Sequence, residues 1–200
     1  MKKNIIYVQV FFNSNPSYSD KMTLKGRHGL DRNKYAEYLL GNDAYLDTVR
    51  RLFPTIQGLF DDNKVLFLST TISATEGIKK FIEDEFDVGV ALYNSSRTDE
   101  EKRLALESEF ISSTPKSLGT GSDIEGLRVV VNSEPYRSAV TANQIPGRLR
   151  YWNDGKYSFY FELIDRGFYD VVRMYKARVK ILEKKCAKII EMDMERIEDI

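Results

Sequence analysis

An α/β fold built on a parallel sheet follows from three observations on the 200-residue sequence. Short, almost wholly apolar runs rich in β-branched and aromatic residues recur along the chain, as expected of strands buried on both faces. Stretches of helical length separate them, and two carry the Ser/Thr-x-x-Glu pattern of a capping box. The alternation of the two is that of parallel strands joined by right-handed crossovers.

Taken in order, Ile5 to Phe12 (IIYVQVFF) is the first predicted strand. Lys2 and Lys3 ahead of it faintly suggest a signal peptide, but Gln9 interrupts the run and no small-residue cleavage site follows. Residues 13–33 read as a long surface loop. Lys34 to Phe60 is helical, with interruptions expected at Gly41 and Pro54. Lys64 to Ser69 (KVLFLS) is a buried strand. Ser73-Ala74-Thr75-Glu76 predicts a helix start, with the helix running to about Glu85. Val88 to Leu92 is a strand, and Thr98-Asp99-Glu100-Glu101 opens a further helix reaching about Glu109. Phe110 to Thr114 and Arg128 to Asn132 are strands flanking the Gly-rich segment 115–127. Ser138 to Gln144 reads as a short helix and Tyr157 to Ile164 as a strand. Phe168, Val172, Tyr175, Val179, Leu182, Cys186 and Ile189 then form a heptad seam, which predicts one long C-terminal helix. It is expected to lie against the domain; docking on another domain or chain is the alternative. The chain divides into an N-terminal strand, loop and helical segment (1–60), a central lobe (61–167) and the C-terminal helix (168–200).

Composition excludes several classes of function. With 42% hydrophobic and 12% aromatic residues the chain can build a core, so it is not mainly disordered. Thirty Lys and Arg balance thirty Asp and Glu, which excludes a polybasic binder that acts by bulk charge but permits a local basic groove. The lone Cys186 cannot form an internal disulfide or a cysteine-based zinc site. His28 is the one candidate histidine base, and no nucleophile context accompanies it. No run approaches the roughly eighteen apolar residues that span a bilayer, so no membrane partner is expected. The expected compartment is the reducing cytoplasm, the host cytoplasm if the gene is phage-borne.

Two segments can carry chemistry. Thr114 to Asp123 (TPKSLGTGSD) leaves a strand and enters a loop, and ligands of open α/β sheets sit at the carboxyl ends of strands. Gly119 and Gly121 let backbone amides approach phosphate oxygens, and Asp123 can accept from a ribose hydroxyl. Taken alone, the same loop reads equally well as a surface turn. Gln144 to Arg150 (QIPGRLR) places two arginines just after a glycine, and the guanidinium fork suits phosphate and the charge of a transferring phosphoryl group. Solvated surface arginines are the bland alternative.

Together the segments resemble the second RecA-like lobe of superfamily 2 helicases, with the phage-type UvsW kind nearest. Ser113 to Ile124 is similar to motif V, Gln144 to Arg150 to the Q-x-x-G-R of motif VI, and Val65 to Thr71 stands where motif IV opens the lobe. Tyr93-Asn94-Ser95-Ser96, with Arg103 on the next helix, matches the loop and arginine between them. The resemblance covers about residues 60–165. It implies that Gly121, Asp123, Gln144 and Gly147 line an ATP site, with Arg148 and Arg150 as catalytic arginines at the γ-phosphate. Arg150 departs from the family spacing, which places the second arginine where this chain has Tyr151, so Arg148 is the safer assignment. Thr70, Thr71, Ser95, Thr114 and Lys116 are implied on the nucleic-acid edge, contacting a DNA or RNA backbone.

The other half of an ATPase is missing. No G-x-x-x-x-G-K-[ST] occurs, and Asp84-Glu85-Phe86-Asp87 spells a D-E-x-D box only by letter, at the end of a helix. ATP and Mg would therefore both need a first RecA-like lobe, supplied in cis or in trans, and the chain alone is expected to hydrolyse ATP at background rate. The simplest expectation is a C-terminal domain of a longer helicase or translocase. A non-catalytic nucleic-acid or protein-binding module on the same fold is the alternative, and an unrelated nucleotide-binding α/β enzyme is the third. The cluster Lys25, Arg27, His28, Arg32 and Lys34 reads as a solvated basic face that can also touch nucleic acid.

Overall fold

A computed structural model describes residues 3–59, 63–118, 124–133, 135–136, 144, 146–149 and 154–196. In chain order the elements are β1 (Lys3–Phe12), α1 (Tyr18–Thr23), β2 (Lys25–Gly26), β3 (Gly29–Leu30), α2 (Arg32–Leu40) and α3 (Asp43–Gln57). They continue with β4 (Lys64–Leu68), α4 (Ile72–Phe86), β5 (Val90–Tyr93), α5 (Asp99–Ala105), β6 (Phe110–Ser113) and β7 (Leu127–Asn132). The last are β8 (Ser158–Asp165), α6 (Tyr169–Leu182) and β9 (Cys186–Asp193). Seven strands form one sheet in the order β5-β6-β4-β7-β8-β1-β9, and every pairing is parallel.

Alternating side chains of each strand feed two cores, as the two-residue period requires. Val65, Phe67, Val129, Val131, Val8, Val10 and Phe12 face one side, where α2, α3 and α4 lie, with Tyr45, Phe53 and Ile78 packed on them. Leu66, Leu68, Val130, Tyr160, Ile5 and Tyr7 face the other, with Leu118, Tyr136, Leu149 and Leu182. The RecA-like α/β class read from the sequence is the observed one.

Four local expectations need correction. The 13–33 stretch is not one loop: Ser17 caps α1 through a reciprocal capping box with Asp20, and β2 and β3 form a small hairpin. Gly41 does end α2, but Pro54 lies inside α3 without breaking it. An interior proline costs about 3 kcal/mol, and here the buried stripe Tyr45, Val49, Leu52, Phe53 and Ile56 outweighs it. Helix α4 starts two residues early, with Thr71 rather than Ser73 as N-cap and the Ala74 N–H donating to Thr71 Oγ1 at 3.0 Å. Finally, the C-terminal segment 168–200 is not one long helix. Helix α6 stops at Leu182, and Cys186–Asp193 is a strand pairing with β1 from Lys3↔Cys186 to Phe11↔Asp193. Cys186 and Ile189 continue the heptad by spacing, but exposed Glu183, Lys184 and Lys185 separate them from the helix. An eight-residue run can satisfy either period, and the open edge of β1 decided it. Segments 1–60 and 168–200 thus contribute β1 and β9 to the same sheet as the central lobe.

Candidate functional site

Because all seven strands are parallel, their carboxyl ends share one edge, and the loops that leave it bring the expected residues together. Thr70 and Thr71 follow β4, Ser95 follows β5, and Thr114 and Lys116 follow β6. Ser95 and Lys116 are exposed. Thr114 is buried, and its hydroxyl lies 2.7 Å from Ser117 Oγ and accepts the Ser117 N–H at 3.1 Å. Its side chain therefore shapes the turn that displays Lys116. Thr70 Oγ1 is buried without a hydrogen-bond partner.

Thr71 is doubly engaged. Besides capping α4, its hydroxyl donates to Glu37 Oε1 at 2.7 Å, while Ser73 Oγ donates to Glu37 Oε2 at 2.9 Å. A carboxylate from α2 therefore stands at the N-terminus of α4, where the helix dipole favours negative charge. No local sequence signal marks Glu37, since its role depends on α2 packing beside α4. Beneath the edge, Asn94 is fully buried and donates to Thr75 Oγ1 at 3.1 Å, while Ser112 Oγ donates to the Thr75 carbonyl at 2.9 Å. Asn94 Oδ1 also accepts from the Ser96 N–H and hydroxyl, and Ser113 Oγ donates to the Tyr93 carbonyl. These polar residues in and beside short strands fix the loops that carry Ser95 and Lys116.

The Q-x-x-G-R segment is described at Gln144 and 146–149. Pro146 is buried and Leu149 has no exposed surface, joining the second core and anchoring the segment. Gln144 and Gly147 face outward, and a Cβ at Gly147 would meet nothing within 4 Å. Arg148 is partly buried. Burial lowers its guanidinium pKa, opposed by the nearby Tyr93 hydroxyl at the carboxyl end of β5. Gly121, Asp123 and Arg150, together with the 138–143 helix expectation, lie outside the described residues.

Elsewhere in the second core a buried network ties α6 to β8 and β1. The Arg178 guanidinium pairs with Glu162, donates to the Tyr136 carbonyl and stacks 4.3 Å from the Tyr136 ring centroid. Tyr7 donates to the same Glu162, and the Tyr136 and Tyr160 hydroxyls are 3.1 Å apart. Burial and the Glu162 charge raise the Tyr7 pKa, keeping it a donor. Tyr136, which follows β7, and Leu149 of the arginine segment belong to the same buried cluster. The heptad reading placed α6 but not this polar spine.

Other candidates are structurally committed. Arg103 forms an exposed pair with Glu100. In the D-E-x-D letters, Asp84 pairs with Lys80, Glu85 with Arg50, and Asp87 is the left-handed C-cap of α4. His28 is exposed at the tip of the β2–β3 hairpin. Among the described residues, no three His, Cys, Asp or Glu side chains gather where a metal ion could sit, and no helix is long and apolar enough to cross a membrane.

No protein-family model and no curated protein matches the chain. Solved structures do. The C-terminal domain of the DEAD-box protein Dbp5 superposes with a TM-score of 0.64 at 14% identity, covering 95% of this chain and 91% of that one. T4 UvsW gives 0.68 at 14% identity over 96% of this chain and 42% of UvsW. Saccharomyces cerevisiae Dbp5 bound to RNA and ADP BeF3 gives 0.60 at 14% identity over 96% of this chain and 41% of that one. At such identities the likeness is one of fold. This chain has the RecA-like fold of the Dbp5 C-terminal domain, and it spans less than half of the longer structures it matches.

Proposed function

We propose that the chain is the second motor lobe of an ATP-dependent nucleic-acid helicase or translocase working in the cytoplasm. DNA is the preferred substrate, with RNA the alternative. The observation that carries the reading is the posture of Arg148. Pro146 and Leu149 are buried on either side of it, while Gln144 and Gly147 are exposed, so a partly desolvated cation is held beside exposed backbone. A guanidinium held in that way gains strength against phosphoryl charge once a partner surface excludes water.

In this reading Arg148, with Arg150 beside it, meets the γ-phosphate, and Gly121, Asp123, Gln144 and Gly147 line the nucleotide. The residues present fit one side of such a site: a cation and an uncrowded glycine. The P-loop and magnesium-binding carboxylates belong to a first lobe in cis or trans, and bound ATP with its metal supplies the phosphoryl group. Lys116 and Ser95, displayed on the edge, contact the nucleic-acid backbone. Thr70 and Thr71 stand beside them, and Thr114 sets the turn. That Dbp5 of the same fold binds RNA and ADP BeF3 supports both ligands.

The test is reconstitution. The chain alone should show background ATPase. Joined to a first lobe bearing a P-loop and a D-E-x-D/H box, it should give nucleic-acid-stimulated turnover. Arg148→Ala should lower that turnover by about a thousandfold, the scale of an arginine finger, with thermal unfolding unchanged. A rate unaffected by Arg148→Ala removes the assigned role. Robust ATPase from the chain alone sinks the shared-site reading.

A further inference from the structure

The stretch between β1 and α2 builds a surface that the motor reading leaves unused. Helix α1 and the β2–β3 hairpin stand against the start of α6 and enclose a groove of about 230 Å³. Its floor is apolar: Leu24 and Phe168 are buried and Leu30 is partly so. Lys21 and Lys25 form one rim, and Tyr169, 79% exposed, forms the other. The carboxylate that also lines it, Asp170, is engaged: Oδ2 accepts the Leu30 N–H at 2.9 Å and Oδ1 accepts from Arg173. That guanidinium lies 5.9 Å from the Tyr169 ring centroid. Arg27 extends the positive rim along the hairpin tip.

The groove lies on the same edge as the candidate site. Helix α1 follows the carboxyl end of β1, Tyr169 follows that of β8, and β4 stands two strands from β8 and three from β1. At about 4.8 Å per strand, Thr70 is roughly 10–15 Å away along the edge, within the reach of a few nucleotides of single strand.

An exposed aromatic ring, an apolar slot and two unburied ammonium groups are the elements of a single-strand contact, where a base stacks and its phosphates meet lysines. An acidic peptide would use the lysines but leave slot and ring without a role. We propose that this groove is a second nucleic-acid contact of the lobe, taking one unstacked base of a single strand against Tyr169 with the flanking phosphates on Lys21 and Lys25. This inference rests on the nucleic-acid reading above. It extends the track along the edge from the β5–β6–β4 end to the β8–β1 end.

The experiment measures binding of the full chain to a fluorescent oligothymidylate across a salt series, with photocrosslinking of an iodouracil-substituted strand. Tyr169→Ala should weaken binding about five- to hundredfold and Tyr169→Phe should restore it. Lys21→Ala with Lys25→Ala should reduce the slope of log K against log salt by about 1.4, two phosphates' worth for a single strand. Crosslinks should map to 18–31 and Tyr169. If Lys116→Ala weakens binding while the groove variants do not and no crosslink reaches 18–31 or Tyr169, the groove inference falls and the motor-lobe reading stands. Absence of any binding by the unaltered chain overturns both. Capture of polyglutamate, lost on the lysine substitutions while oligothymidylate binding is unchanged, overturns the inference in favour of an acidic protein partner.

Discussion

Arg178 and Glu162 are almost completely buried, and each has further polar neighbours in Tyr136 and Tyr7. A buried pair contributes little by existing but much when halved. Arg178→Met should therefore destabilise the lobe by about 3–5 kcal/mol, read as a fall in urea midpoint. Adding Glu162→Leu should recover most of that loss. Equal destabilisation by single and double variants would show that packing, not the stranded carboxylate, sets the cost. At the α4 terminus, Thr71→Ala should cost about 1 kcal/mol, as loss of an N-cap does. Glu83 adds a pH-dependent contribution. Hydrogen bonds from Lys79 and from the Val90 N–H lower its pKa, so its stabilisation is complete above the ordinary carboxylate value and is lost as pH falls through the lowered one. Glu83→Gln should accordingly flatten the acid limb of a stability–pH profile; an unchanged limb would remove Glu83 from its causes.

Elements were legible where one period dominated. The runs KVLFL and LRVVVN are short and mostly apolar, and both are inner strands. The Thr98 box caps α5 as the pattern predicts, with Glu101 Oε2 accepting the Thr98 N–H at 2.7 Å. Legibility failed where tertiary partners chose between local options. Ser73 and Thr71 both suit an N-cap, and Glu37, from an element more than thirty residues earlier, engages both hydroxyls. Of the candidate site, the sequence located the loops but not the posture of their side chains, because Thr114 turns inward only through Ser117. The same elements protect the outer edge. Val90 N–H donates to Glu83 and its carbonyl accepts from Lys79, so side chains of α4 occupy the backbone groups a stray strand would seek. Lys79→Ala with Glu83→Ala should raise concentration-dependent association, seen by light scattering.

Across the whole molecule, zero net charge coexists with the proposed basic contacts on one edge, because charge is sorted by position rather than by excess. Lys116 sits in the loop after β6, and Lys21 and Lys25 sit in α1 and β2 of the stretch after β1, while many acids are engaged in helix pairs such as Lys80–Asp84 and Arg103–Glu100. Strand β1 lies between β8 and β9, pairing Tyr7 with Tyr160 and with Ile189. It therefore finds neither neighbour until residues more than 150 positions later are available, whereas β4 to β7 can pair among themselves first. Long loops closed late make for slow assembly with apolar surface left waiting. Within this lobe the strand that comes first in sequence is then among the last to be satisfied, so β4–β7 should gain amide protection before β1 in pulsed exchange during refolding. The order of birth along the chain and the order of shelter within the sheet run in opposite directions.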